Sequence, residues 1–249
     1  MLEIIKTTSE EIANSLPDSY KVLDIGGAVA PFQRADYMVD IVPFEEISWH
    51  QQRGVGTPRL TKSNHIQHDI CSREPWPFED KQFDFVFCSH VLEDIRDPLW
   101  VCSELIRVSK AGYIEIPSKL YEMTFGLEAK KLSGASHHRW LIDVSDNKIR
   151  FTFKYFYIHL PFINTNRKKL DQHHDDMLLR IKWEGSFGFF ENWLASGKDT
   201  FEYYLDRPIT EKEKWKFFRK ASPYSTLGSW ARYLKNTSPL FAKIYSKIK

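Results

Sequence analysis

The sequence predicts an α/β protein built on a parallel sheet, and three observations carry that prediction. Short apolar runs end in an acid: Lys21-Val22-Leu23-Asp24-Ile25, Tyr37-Met38-Val39-Asp40 and His65-Ile66-Gln67-His68-Asp69-Ile70. The first runs into Gly26-Gly27-Ala28, as a strand entering a tight turn does. A helical pattern opening at Asp97-Pro98 separates two later apolar runs, the alternation expected when crossovers join parallel strands.

Taken in order, Thr8-Ser9-Glu10-Glu11 is a capping-box pattern, so a short helix should run to about Leu16, before Pro17. A strand follows at about 21–25, and the next at 37–40. Between them Ala28 to Asp36 includes Pro31 and allows about two turns of helix at most. Residues 45–63 carry Gly54, Gly56 and Pro58 and read as a loop with one helical turn near Glu45–His50. The third strand covers 65–70. A turn at Pro75–Asp80 leads into Phe83-Asp84-Phe85-Val86-Phe87-Cys88, a largely buried strand. Asp97 is suited to cap a helix whose first residue is Pro98. Leu99, Val101, Cys102, Leu105, Ile106 and Val108 give that helix an apolar face. Lys110-Ala111-Gly112 ends it, and Tyr113–Pro117 is the fifth strand. Leu120–Leu132 could be helical. Trp140–Val144, the polar turn 145–148 and Ile149–Lys154 read as a β-hairpin.

At 249 residues the chain is long enough for one full core, with 42% hydrophobic and 27% charged residues. It carries no apolar run of membrane-span length, and Met1–Lys6 has no signal-peptide pattern. A cytoplasmic protein is expected, with Cys71, Cys88 and Cys102 as buried thiols rather than disulfides or zinc ligands. From Pro161 onward Lys and Arg number 17 against 10 acids, whereas the preceding part holds 18 against 23. That asymmetry argues against a whole-domain nucleic-acid binder. Two domains are therefore expected, 1–160 and a helical cap or contact extension over 161–249.

The glycine turn carries neither a dinucleotide fingerprint nor a phosphate loop, since the third and sixth positions counted from Gly26 are Ala28 and Pro31 and no Gly-Lys-Ser/Thr occurs. An acid against the loop suits a cation better than a pyrophosphate.

The residues Val22-Leu23-Asp24-Ile25-Gly26-Gly27, Asp40, Asp69, Pro75–Phe78, Phe83–Glu93, Glu104–Val108 and Gly112–Pro117 resemble the class I S-adenosylmethionine-dependent methyltransferases. The resemblance extends over about 18–155 and includes bacterial enzymes of surface-polysaccharide synthesis. It implies a Rossmann-like, seven-stranded, mostly parallel sheet with an antiparallel hairpin. By resemblance, Gly26, Gly27 and Ala28 lie under the methionine end of S-adenosylmethionine, with Asp24 near its ammonium. Asp40, with Ile41 beside it, accepts from the ribose hydroxyls. Asp69 faces the adenine amino group with Ile70 next to it, and Cys88, Ser89 and His90 border the sulfonium. This chain has Gly-Gly-Ala-Val-Ala where the family has Gly-x-Gly-x-Gly, and its first crossover is short.

Methyl transfer needs alignment, exclusion of water and, for an alcohol acceptor, a base. His90, His137 and His138 are the candidates. The acceptor is expected to be a hydroxyl of a sugar or glycan. A lipid or quinone C-methyltransferase, or an inactive interaction module on the same fold, remain alternatives. Glu115, inside a strand, needs a buried partner, and His65 and His68 read as sheet packing. His173-His174-Asp175-Asp176 lacks ligand spacing, so no metal is expected. Lys214–Lys220 and Trp230–Lys249 interleave aromatic and basic residues, which suits a packed cap or peripheral contact with the inner face of a membrane. Nothing in the sequence bears on oligomeric state.

Overall fold

The computed structural model describes residues 1–54, 59–128, 132–155, 158, 174–194, 199, 202–204, 208 and 210. The chain divides into two units, one of residues 1–155 and 164–193, the other of 156–163 and 194–249. Most of the second unit, including the basic aromatic stretches 214–220 and 230–249, lies outside the described residues. The first unit runs past the expected boundary at residue 160, because two strands beyond it belong to its sheets.

Its strands are β1 (Leu2–Ile5), β2 (Val22–Ile25), β3 (Tyr37–Asp40), β4 (His65–Gln67), β5 (Phe83–Ser89), β6 (Ser109–Pro117), β7 (Trp140–Ser145), β8 (Lys148–Phe153), β9 (Leu178–Glu184) and β10 (Gly188–Glu191). The helices are α1 (Ser9–Ser15), α2 (Pro98–Val108) and the single turn α3 (Lys119–Glu122). Seven strands form one sheet in the order β1-β9-β6-β5-β2-β3-β4. Strands β6, β5, β2, β3 and β4 are mutually parallel, while β9 lies antiparallel between β6 and β1.

The expected seven-stranded, mostly parallel sheet is present, but its antiparallel member is β9. The hairpin β7–β8 forms a separate three-stranded sheet with β10. Its two-residue turn places Asp146 and Asn147 at φ +51° and +58°. Asp and Asn tolerate that left-handed conformation, and it matches the twist of the flanking strands. The helix expected over 120–132 is also corrected. Among the described residues of this stretch only α3 forms, Gly126 takes φ +79°, and Phe125 bridges back to Ser133. A glycine in the left-handed region ends helical propagation.

The helix caps follow the sequence. Thr8 and Glu11 satisfy each other's backbone N–H groups at the start of α1. Asp97 accepts from the Trp100 N–H at 3.1 Å at the start of α2. On one side of the sheet Val101, Cys102, Leu105 and Val108 of α2 pack among Val86, Cys88, Ile114 and Trp76. On the other, Ile12 and Ala13 of α1 pack with Val22, Met38, Phe85, Phe87 and Tyr113. Each fully buried large side chain contributes about 1.5–3 kcal/mol, so these faces fix the helices to the sheet. The three cysteines are buried and free, as expected. Among the described residues no helix is long and apolar enough to cross a membrane.

Candidate active site

The carboxyl ends of β5, β2, β3 and β4 lie along one edge of the sheet, where open α/β folds bind ligands. Register sets the alignment: Ile25 stands opposite Val39 and Cys88, and Asp40 opposite Gln67. Leaving β2, Gly26 adopts φ +63°, and a Cβ there would come within 2.7 Å of Val91. At Gly27 a Cβ would lie 2.0 Å from Asp24 Oδ2. The two glycines thus let the chain fold back over the acid of its own strand.

Asp24 is buried, and its Oδ2 accepts the Phe32 N–H at 2.9 Å. Burial pushes its carboxyl up to about 7, against the Phe32 hydrogen bond and the nearby Arg53 charge, which favour ionisation. Asp40 is also buried. It accepts the Ala28 N–H at Oδ2 and the Val42 N–H at Oδ1, both at 2.9 Å, and so ties the glycine loop to β3. Ile41 beside it is 64% exposed, an apolar surface at the rim.

Asp69 lies two residues beyond β4. Its Oδ1 accepts the Cys71 N–H at 2.9 Å and its Oδ2 pairs with Arg96 at 2.6 Å; the Arg96 bond holds it below the usual carboxylate range. Ile70 is buried, and its carbonyl accepts from the Trp76 indole. Cys88 has no exposed surface and packs in the core, with Ser89 and His90 following it at the end of β5.

The Ser89 hydroxyl donates to Glu115 Oε1 at 3.0 Å and accepts from Arg53. Glu115 also accepts from Tyr113 at 2.9 Å and Arg180 at 2.8 Å, with Arg53 at 3.4 Å. Burial alone would raise its carboxyl, but Arg180, Tyr113 and Ser89 together hold it below its ordinary value. The partner expected for this acid is therefore arginine. Arg53 sits in a patternless loop, joined to the glycine segment by a Phe32–Arg53 bridge, and only the fold brings it to the site.

The three histidines occupy the next part of the edge. His90 leaves β5 at φ +54°, with its N–H on the Glu115 carbonyl and its Nδ1 3.4 Å from Glu93. The Glu93 carbonyl accepts the Arg139 and Trp140 N–H groups, which anchors the loop carrying His137 and His138. His138 Nδ1 lies 2.5 Å from Glu122 Oε1, and its Nε2 is 3.9 Å from Asp94. Burial lowers its basicity, but Glu122, Glu93 and Asp94 outweigh that and raise it. His137 is exposed, 3.9 Å from Glu128.

Residues 37–114 match a methyltransferase domain. The methyltransferase-domain match begins at the first residue of β3 and ends inside β6, so it takes in Asp40, Asp69, Ser89 and His90. No curated protein matches the sequence. Among solved structures, the fold is similar to a chain in the complex of a Haloferax volcanii Trm112 methyltransferase activator with a putative methyltransferase, at 12% identity and TM-score 0.39, over 72% of this chain and 89% of that one. A putative S-adenosylmethionine-dependent methyltransferase from Listeria monocytogenes aligns at 12% identity and TM-score 0.38, over 69% and 93%. A SAM-dependent methyltransferase from Aquifex aeolicus aligns at 20% and 0.32, over 46% and 66%.

Within the matched residues 37–114 the positive φ of His90 is testable. A side chain in the left-handed region costs about 1–2 kcal/mol that glycine does not incur. His90→Gly and His90→Ala both lack the imidazole, so urea unfolding should find the glycine variant more stable by about 1 kcal/mol. Equal stabilities would show that this backbone position is unstrained.

Proposed function

We propose that the chain is a methyltransferase using S-adenosylmethionine on a hydroxyl of a sugar or glycan-type acceptor. The observation that carries the reading is the buried Asp24 folded against its own glycine turn, with Asp40 on the next strand. A carboxylate whose burial raises it to about 7 gains most from a cationic ligand. The donor set fits the cofactor: Asp24 faces the ammonium, Arg53 suits the carboxylate of the same amino acid, and Asp40 and Asp69 accept from hydroxyl and amino groups. Bound S-adenosylmethionine supplies a methyl group already activated on a sulfonium.

The remaining work falls to the histidine side. His90 follows Ser89 at the strand exit and has Glu93 3.4 Å behind its Nδ1. It would take the hydroxyl proton at Nε2, and Glu93 would stabilise the imidazolium formed. His137 and His138 would border the acceptor. Calorimetry with S-adenosylhomocysteine tests the cofactor, with micromolar binding expected. Its absence would favour an interaction module. Transfer of labelled methyl to a sugar panel tests the acceptor, and His90→Gly should lower turnover by about 10²–10⁴-fold. Turnover that survives this change would point to a C-methyltransferase needing no alcohol base.

A further inference from the structure

Contrary to the metal-free expectation from sequence, the loops after β5 and before β7 assemble a constellation of ligand type. Asp94, His137 and His138 each offer one atom, all within 4.8 Å of one another. We propose that these three residues bind a divalent transition cation of the zinc class.

Three features carry the inference. First, the donors are two imidazoles and one carboxylate, a set that zinc and its neighbours accept with coordination positions left open. Second, His138 is already oriented as a ligand. Its Nδ1 lies 2.5 Å from Glu122 Oε1 and its Nε2 3.9 Å from Asp94, so a neutral ring with its proton on Nδ1 would offer Nε2 to an ion. A carboxylate behind a histidine fixes the tautomer in this way in metal sites. Glu122 is itself held by Lys154 at 2.5 Å. Third, the site holds carboxylate oxygens without hydrogen bonds. Glu93 is 1% exposed, and among the described residues neither of its carboxylate oxygens, nor Oδ1 of Asp94, has a hydrogen-bond partner. The Glu93 charge is felt at both His138 and Asp94. A buried carboxylate without a hydrogen bond is costly even with His90 Nδ1 3.4 Å away, and a cation among these groups would offset that cost.

Donors at about 2.1 Å from a tetrahedral ion stand roughly 3.4 Å apart. Separations of up to 4.8 Å require closure by up to about 1.4 Å, part of which the exposed side chain of His137 can supply. An ion with an open position would offer a seat for an acceptor oxygen. That role rests on the methyl-transfer reading, whereas binding of the ion does not.

The test uses the untagged full chain, stripped with chelator. Calorimetry with Zn²⁺ and the visible spectrum with Co²⁺ should show one equivalent bound, at micromolar affinity or tighter. Asp94→Asn and His137→Ala should weaken binding at least tenfold, and Glu122→Gln by about 10–100-fold. The surface change His137→Ala keeps the test valid should Glu122→Gln not fold. Absence of stoichiometric binding, or binding indifferent to Asp94 and His137, would overturn the proposal. So would binding lost only in a His173→Ala, His174→Ala double variant. None of these readouts depends on S-adenosylhomocysteine, so the site and the methyl-transfer reading can fail separately.

Discussion

Asp24→Asn is expected to melt higher than the parent at pH 8 without ligand, and to lose S-adenosylhomocysteine binding. The parent carboxyl titrates near 3.8 when exposed and about 7 when folded. Between those values the folded chain retains a proton that the unfolded chain has released. Stability from this group is therefore full below about pH 4, falls as pH rises towards 7, and is flat above. At about 1.4 kcal/mol per pH unit the loss is roughly 4 kcal/mol. Asparagine keeps an oxygen for the Phe32 N–H but never ionises, so the variant should lack this pH dependence. The gain in melting temperature should be on the order of 10 °C at most.

Ligand binding should respond in the opposite direction. An ammonium beside Asp24 stabilises the charged form, so binding by the parent should tighten as pH rises through 7 and expel a proton. Calorimetry in buffers of different ionisation enthalpy measures that proton directly. A variant that binds as tightly as the parent would remove Asp24 from the cofactor site.

The acid-terminated strands were legible because an apolar run, an acid and a glycine turn are adjacent in sequence. Asp24, Gly26, Gly27 and Asp40 are therefore found without a fold. The caps at Thr8 and Asp97 were legible for the same reason, each being satisfied within three residues. What escaped depends on distant pairing. Strand β1 is four residues long and is held by β9, so nothing local distinguishes it from a loop. Arg53 reaches Glu115 from a patternless loop. Asp94 meets His137 and His138 only because the backbone of Glu93 holds Arg139 and Trp140. The stop at α3 was available in principle in Gly126.

The largest loss of stability should come from the ion pair behind His138. Lys154 and Glu122 have side chains 2% and 1% exposed, joined at 2.5 Å, and the Lys154 ammonium also donates to the Ala135 carbonyl at 2.5 Å. Such a pair adds little over an apolar filling, but removing one partner strands the other charge away from water. Lys154→Met leaves Glu122 with His138 as its remaining cationic contact, and should cost about 3–5 kcal/mol in urea unfolding. Glu122→Gln strands the ammonium and should cost a similar amount. The double variant has no charge left to strand, so its loss should fall short of the summed single losses by about 2 kcal/mol or more. Strict additivity would mean that the two groups do not compensate each other. His138 also distinguishes the variants, because only Glu122→Gln removes the carboxylate that raises its basicity. Its proton resonances should titrate at lower pH in Glu122→Gln, and not in Lys154→Met, where the carboxylate remains.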